Sequence, residues 1–251
     1  MQDVLIGSAV SAMSTGLGAI PILFMKNVTH RWRDILLAYT AGIMTSASMF
    51  SLIPEALSLS NTWIVAFGLM LGCLTLLWLE GIVPHVDLEK MEHALGSSSG
   101  HAHAPIDHKS MLIIAAITLH NLPEGLSVGV SYASGSEALG PLIAFSIGLQ
   151  NAPEGFLVAL FLVTQNVNRW KALGVAALTG GVEIITALLG FFLSSFVSNL
   201  VPYGLSFAAG AMLFIIYKEL IPESHGDGHQ RAATISFVAG IITMLALTQW
   251  V

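Results

Sequence analysis

Eight stretches of the chain are apolar almost without a break, at about residues 3–24, 35–57, 61–83, 111–133, 140–164, 172–197, 202–221 and 232–250. A helix needs about 20 apolar residues to cross a bilayer, and each stretch meets that length. The pattern therefore predicts an all-α polytopic membrane protein with eight transmembrane helices, forming one domain over residues 1–251. The first stretch does not read as a cleaved signal, because Asp3 stands where a basic region belongs. The connections are short, except for residues 84–110. That segment combines the flexible run Gly96-Ser97-Ser98-Ser99-Gly100 with His85, His93, His101, His103 and His108. Its histidines either bind metal loosely or are simply solvated.

Composition agrees. Hydrophobic residues make up 55% and charged residues only 10%, against roughly a quarter charged in a soluble domain. Disordered, collagen-like and coiled-coil classes are excluded. Nine Lys and Arg against fifteen Asp and Glu leave a net charge of −6, which excludes a nucleic-acid partner. One cysteine, Cys73, excludes a disulfide framework or a thiolate cage. Placement of the basic residues adds direction. Lys26, Arg31 and Arg33 follow span 1, Lys90 and Lys109 follow span 3, Arg169 and Lys171 follow span 5, and Lys218 and Arg231 flank the last connection. The connections at 58–60, 134–139 and 198–201 have none. By the positive-inside rule the basic connections face the cytoplasm and both termini lie outside it.

Two repeats interrupt the apolar background. His120-Asn121-Leu122-Pro123-Glu124-Gly125 in span 4 returns as Gln150-Asn151-Ala152-Pro153-Glu154-Gly155 in span 5. Ala41-Gly42-Ile43-Met44 and Leu52-Ile53-Pro54-Glu55 in span 2 return 168 residues later, as Ala209-Gly210-Ala211-Met212 and Leu220-Ile221-Pro222-Glu223 in span 7. Spans 2 and 7 run in opposite directions, so the second repeat is inverted, as in many transporters. A 3+2+3 plan follows, with spans 1–3 and 6–8 as the repeat and spans 4 and 5 between them. Spans 1 and 6, or 3 and 8, have no comparable identity.

Ionisable groups are costly inside a membrane and mark function by default. His120, Glu124, Glu154 and Glu183 fall near the midplane, with the amides of Asn121, Gln150 and Asn151. His120 and Glu124 are four residues apart and share a helix face, as do Gln150 and Glu154. Pro123 and Pro153 remove backbone donors and free the carbonyls of Leu119 and Leu149. Two such helices facing each other present imidazole, amide and two carboxylates to one point. Zn, Fe, Mn or Co suits that set, and the lack of cysteine argues against Cu(I). Asn121 and Asn151 are turned about 100° from the first face. With Glu183, and sharing Glu154, they form a candidate second position. On the residues alone Met44, Ser51 and Met212 read as packing. Glu55 falls at the outer mouth and Glu223 at the inner one, where Glu80, His85, Asp87, Glu219, His225 and His229 also gather. Lys218, beside Glu219, either neutralises that acid or snorkels to the interface.

The paired His/Gln-Asn-x-Pro-Glu-Gly motif resembles the hallmark of the ZIP (ZRT/IRT-like) metal transporters, and its Gln form is similar to the bacterial GufA-like branch. The likeness covers essentially the whole chain. It implies one metal site from His120, Glu124, Gln150 and Glu154 with Met44 nearby, and a second from Asn121, Asn151, Glu154 and Glu183. It implies that Ser51 lines the outer pathway, and that Glu80, His85, Asp87 and Glu219 form an inner release site. Asn151 stands where some relatives have Asp, Lys218 where a relative has His, and Asp87 where a relative has His. The resemblance further implies a homodimer in the cell membrane. It also implies an elevator in which spans 1, 4, 5 and 6 carry metal past spans 2, 3, 7 and 8.

The leading expectation is an importer of divalent transition metal, zinc first, with Fe²⁺, Mn²⁺, Co²⁺ and Cd²⁺ as other cargo and no cofactor. An intramembrane metallohydrolase is a second reading, opposed by the lack of an H-E-x-x-H motif. A metal-gated channel or sensor is a third.

Overall fold

The computed structural model describes residues 1–25, 29–82, 108–226 and 228–249, and among them the regular structure is helical, with no strand. Eight long helices follow one another: α1 (Gln2–Leu23), α2 (His30–Ser58), α3 (Thr62–Ile82), α4 (His108–Ala133), α5 (Leu139–Thr164), α6 (Arg169–Phe196), α7 (Val201–Glu223) and α8 (Gln230–Leu247). Among the described residues α1, α2, α3, α5, α6, α7 and α8 are each long and apolar enough to cross a membrane. α4 has the length, at 26 residues, or about 39 Å at 1.5 Å per residue. Several helices run on into polar flanks where the apolar stretches stop. α6 starts at Arg169 because the Asn168 side chain accepts the Trp170 N–H at 2.9 Å. α3 starts the same way, with Asn61 Oδ1 accepting from the Trp63 and Ile64 N–H groups.

Apolar surface gains little by leaving lipid for protein, so helices in a membrane associate through small residues and close backbone approach. That rule sorts the helices into two groups. In the first, α1, α4, α5 and α6 pack on one another. A Cβ added to Gly155 would fall 1.9 Å from the Thr15 carbonyl oxygen, and one on Gly129 would fall 1.9 Å from that of Ala187. In the second group, α2 packs on α8, α3 on α7, and α2 meets α7. Among the described glycines, every approach to another helix's backbone lies within a group. Across the groups, Gly204 of α7 meets only the side chain of Val130 of α4.

The 168-residue offset reappears in the packing. A Cβ on Gly42 would meet the Phe237 carbonyl oxygen at 2.1 Å, and one on Gly210 would meet that of Leu69 at 2.2 Å. Gly72 abuts the Phe207 oxygen and Ala211 nitrogen, while Gly240 abuts the Tyr39 oxygen and Ile43 nitrogen. Each atom in one contact lies 168 residues from its counterpart in the other. Gly72 and Gly240 thus extend to α3 and α8 a correspondence that their sequences do not reveal by identity. The offset also holds for two π-helical turns, Ser48–Leu52 in α2 and Ile216–Leu220 in α7, each leading into the Ile-Pro-Glu of the repeat. Proline removes an N–H and crowds the preceding turn. The wider turn keeps the backbone bonded, with the Ile53 and Ile221 N–H groups reaching the carbonyls of Ser48 and Ile216.

Burial orders the helices radially. The spans of α2 and α7 are 67% and 56% buried, against 22% and 17% for α3 and α8. The core lies around α2, α5 and α7, where Met44, Ile143, Ile147, Leu205 and Met212 are inaccessible. α3 and α8 turn Trp63, Phe67, Trp78, Ile235 and Ile242 outward.

Candidate metal site

The two motif copies lie midway along α4 and α5, and both helices continue through Pro123 and Pro153. Gly125 and Gly155 bring the neighbours close, since a Cβ on Gly125 would sit 2.4 Å from the Glu183 carbonyl oxygen. The motif side chains are thereby held between α1, α5 and α6.

Three groupings result. Gln150 Nε2 donates to Glu124 Oε1 at 2.7 Å, and both side chains are fully buried. Asn151 Nδ2 donates to Glu183 Oε1 at 2.7 Å, and Ser11 Oγ of α1 donates to Glu183 Oε2 at 2.5 Å. His120 Nε2 lies 2.6 Å from Glu219 Oε2 on α7, linking the two helix groups. Glu154, half-buried, lies within electrostatic reach of His120, as does Glu223.

The expected residues are distributed as follows. Glu124, Gln150, Asn151 and Glu183 join directly in pairs, whereas His120 turns toward Glu219. Asn121 is buried and its Nδ2 has no acceptor among the described residues. Met44 sits in the apolar core with Met212. Ser51 is buried in the α2 π turn, its hydroxyl without a partner among the described residues. Glu55 is half-buried one residue beyond Pro54. Lys218 bonds Glu80 on α3 and lies over the Phe214 ring. His85 and Asp87 lie outside the described residues, as do His93, His101 and His103. His225 bonds the Ile221 carbonyl oxygen, and His229 lies 3.2 Å from the buried Asp34.

Ser11 is the participant that sequence reasoning misses. Its signal is a stripe of small polar residues, Ser8, Ser11 and Thr15, at helical spacing within an apolar run and buried along α1.

The chemistry of the cluster is that of acceptors. Glu124 Oε2, Gln150 Oε1 and Asn151 Oδ1 are buried without a hydrogen-bond donor among the described residues. Buried polar atoms ordinarily find partners, so three unserved oxygens on the two motif copies are acceptors that a cation would satisfy. Among the described residues no three His, Cys, Asp or Glu side chains are already gathered as a cage. Drawing His120 back from Glu219 is what would add nitrogen to the oxygens, giving ligands suited to a divalent transition metal.

Comparison with known proteins agrees in kind. A family profile described as ZIP Zinc transporter matches residues 84–248. Zinc transporter GufA of Myxococcus xanthus is 38% identical over 252 aligned residues, covering 97% of this chain and 96% of that protein. Zinc transporter ZIPB of Bordetella bronchiseptica is 36% identical, covering 96% of this chain and 79% of its own. Zinc transporter ZupT of Streptococcus mutans is 26% identical, covering 94% and 93%.

Proposed function

The chain belongs to the ZIP zinc transporter family, and from that premise we propose that it imports divalent metal, zinc first, into the cytoplasm by alternating access. One observation carries the reading: the buried oxygens of Glu124, Gln150 and Asn151, on the two motif copies, are unserved among the described residues. These are acceptors for a cation that must shed water on the way in. The cargo binds between α4 and α5 through His120, Glu124, Gln150 and Glu154, with Met44 in the neighbouring core. The relatives are named as transporters, so the hydrolase reading falls away.

The two helix groups supply the moving parts. α1, α4, α5 and α6 are interlocked backbone to backbone and travel as one carrier. α2, α3, α7 and α8, related within themselves by the 168-residue offset, form the scaffold of an inverted repeat. Eight spans, with both termini outside, put Glu55 and Ser51 on the outer approach. They put Glu80, Glu219 and Glu223 on the inner one, with His85 and Asp87 in the adjoining connection. His120 paired with Glu219 corresponds to a carrier open toward the cytoplasm after release. A homodimer in the cell membrane is the working assembly.

Purified protein in liposomes is expected to take up zinc with saturable kinetics, and Fe²⁺, Mn²⁺, Co²⁺ or Cd²⁺ to compete. Uptake that rises without saturation would favour the channel reading. Cysteine at position 137 in an intact cell is expected to react with an impermeant maleimide, whereas cysteine at position 166 is expected to react only after permeabilisation. The reverse pattern would invert the proposed orientation.

A further inference from the structure

Resemblance makes Glu183 a ligand of a second ion, but its surroundings are those of a carboxylate already served. Ser11 Oγ donates to one oxygen at 2.5 Å and Asn151 Nδ2 to the other at 2.7 Å. Asn151 Nδ2 also lies 3.2 Å from Ser11 Oγ and 3.3 Å from the Ser11 carbonyl oxygen. All three side chains are at most 1% exposed. The amide orientation follows from these partners, because the flipped form would set its oxygen against a carboxylate and a backbone carbonyl. Its nitrogen end is therefore pinned, while Oδ1 is buried with no donor among the described residues. Gln150 repeats the arrangement one residue earlier, with its nitrogen bonded to Glu124 and its Oε1 unserved.

We propose that Ser11 and Glu183 are positioning residues, which hold the Asn151 amide so that its oxygen is offered to the transported divalent cation, and that Glu183 does not itself bind a second ion. This rests on the α4–α5 metal site proposed above and adds the Asn151 oxygen to its ligands. Partners behind a metal ligand orient it in this way, and their loss typically weakens metal binding about 10–100-fold. Charge is not needed for the task. In Glu183→Gln the new amide oxygen still accepts from Asn151 and its nitrogen donates to Ser11, whose hydroxyl accepts as well as donates. A true carboxylate ligand would not survive that exchange.

The test uses the full-length protein in liposomes, reading zinc uptake kinetics and zinc retained per chain by elemental analysis. Ser11→Ala and Glu183→Ala are expected to raise KM about 10–100-fold while the maximal rate changes little, and Glu183→Gln to restore KM to within about threefold of the parent. A misfolded variant would instead lose maximal rate, and Glu183→Gln guards against that reading by keeping the network. Zinc per chain in Glu183→Gln is expected to equal the parent's, while His120→Ala loses an ion. If Glu183→Gln and His120→Ala each lose an ion, Glu183 is a ligand and the proposal fails with the α4–α5 site intact. If His120→Ala retains the parental count, the site itself fails and takes the proposal with it. A parental KM in Ser11→Ala also overturns it.

Discussion

Cysteines at positions 130 and 204, in a Cys73→Ser background, are expected to stop zinc uptake once oxidised and to restore it on reduction. The distance favours the bond. A Cβ built on Gly204 lies 3.6 Å from the Val130 Cβ, within the 3.5–4.5 Å usual for a disulfide. Val130→Cys also removes the methyl carbons that crowd the new Cβ at 2.9 and 3.0 Å. The site is chosen because it crosses from α4 to α7, where Gly204 meets the Val130 side chain and no described glycine of either group approaches the other group's backbone. Interlocked glycines resist sliding, whereas side-chain contacts re-form after a shift. A control pair joins helices inside the first group, the proposed carrier. Gly16 of α1 and Ala177 of α6 have Cβ positions 3.1 Å apart, a few tenths of an ångström inside the ideal, and their oxidation should leave uptake intact. Gel mobility or mass spectrometry would quantify the bond. Full uptake with the 130–204 bond fully formed would mean that the groups do not move past each other.

The second large effect is expected from His120→Ala and Glu154→Ala, each of which should reduce uptake in proteoliposomes to that of empty vesicles. Zinc binds imidazole nitrogen and carboxylate oxygen at about 2.0–2.2 Å, and in a buried site no water-rich surface offers a replacement. Removing a group behind a ligand already costs about 10–100-fold in affinity, so removing the ligand should cost at least as much. Glu154→Ala also takes away charge that offsets the cation's loss of hydration. His120→Ala carries a further consequence. It breaks the link to Glu219 on α7 and so acts on both the cargo and the contact between the two helix groups. Parental uptake rates in both variants would remove the α4–α5 site from the mechanism.

Much of this was legible because membrane sequences make polar residues conspicuous. His120, Glu124, Glu154 and Glu183 stand out from apolar surroundings, and the repeated Asn-x-Pro-Glu-Gly pairs them before any contact is known. Ser11 was not legible, since one serine in an apolar run looks like packing until a carboxylate 172 residues away is found on its hydroxyl. Gly72 and Gly240 escaped for a different reason. Glycine is common in membrane helices, and only the matching backbone contacts separate this pair from coincidence. The π turns are invisible in composition because they are a property of hydrogen-bond register. Lys218 has two readings in the sequence, neutralising Glu219 or reaching the interface, and neither points to its bond with Glu80 on the neighbouring helix.

That last bond bears on the electric potential an outgoing dication feels. A lone ammonium on α7 would repel it with an energy falling only as the inverse of distance. Tied to Glu80, the same charge becomes one end of a short dipole, whose influence dies away faster with distance. In the proposed orientation the inner end of α7 thus carries a basic residue whose charge is offset by a neighbouring acid.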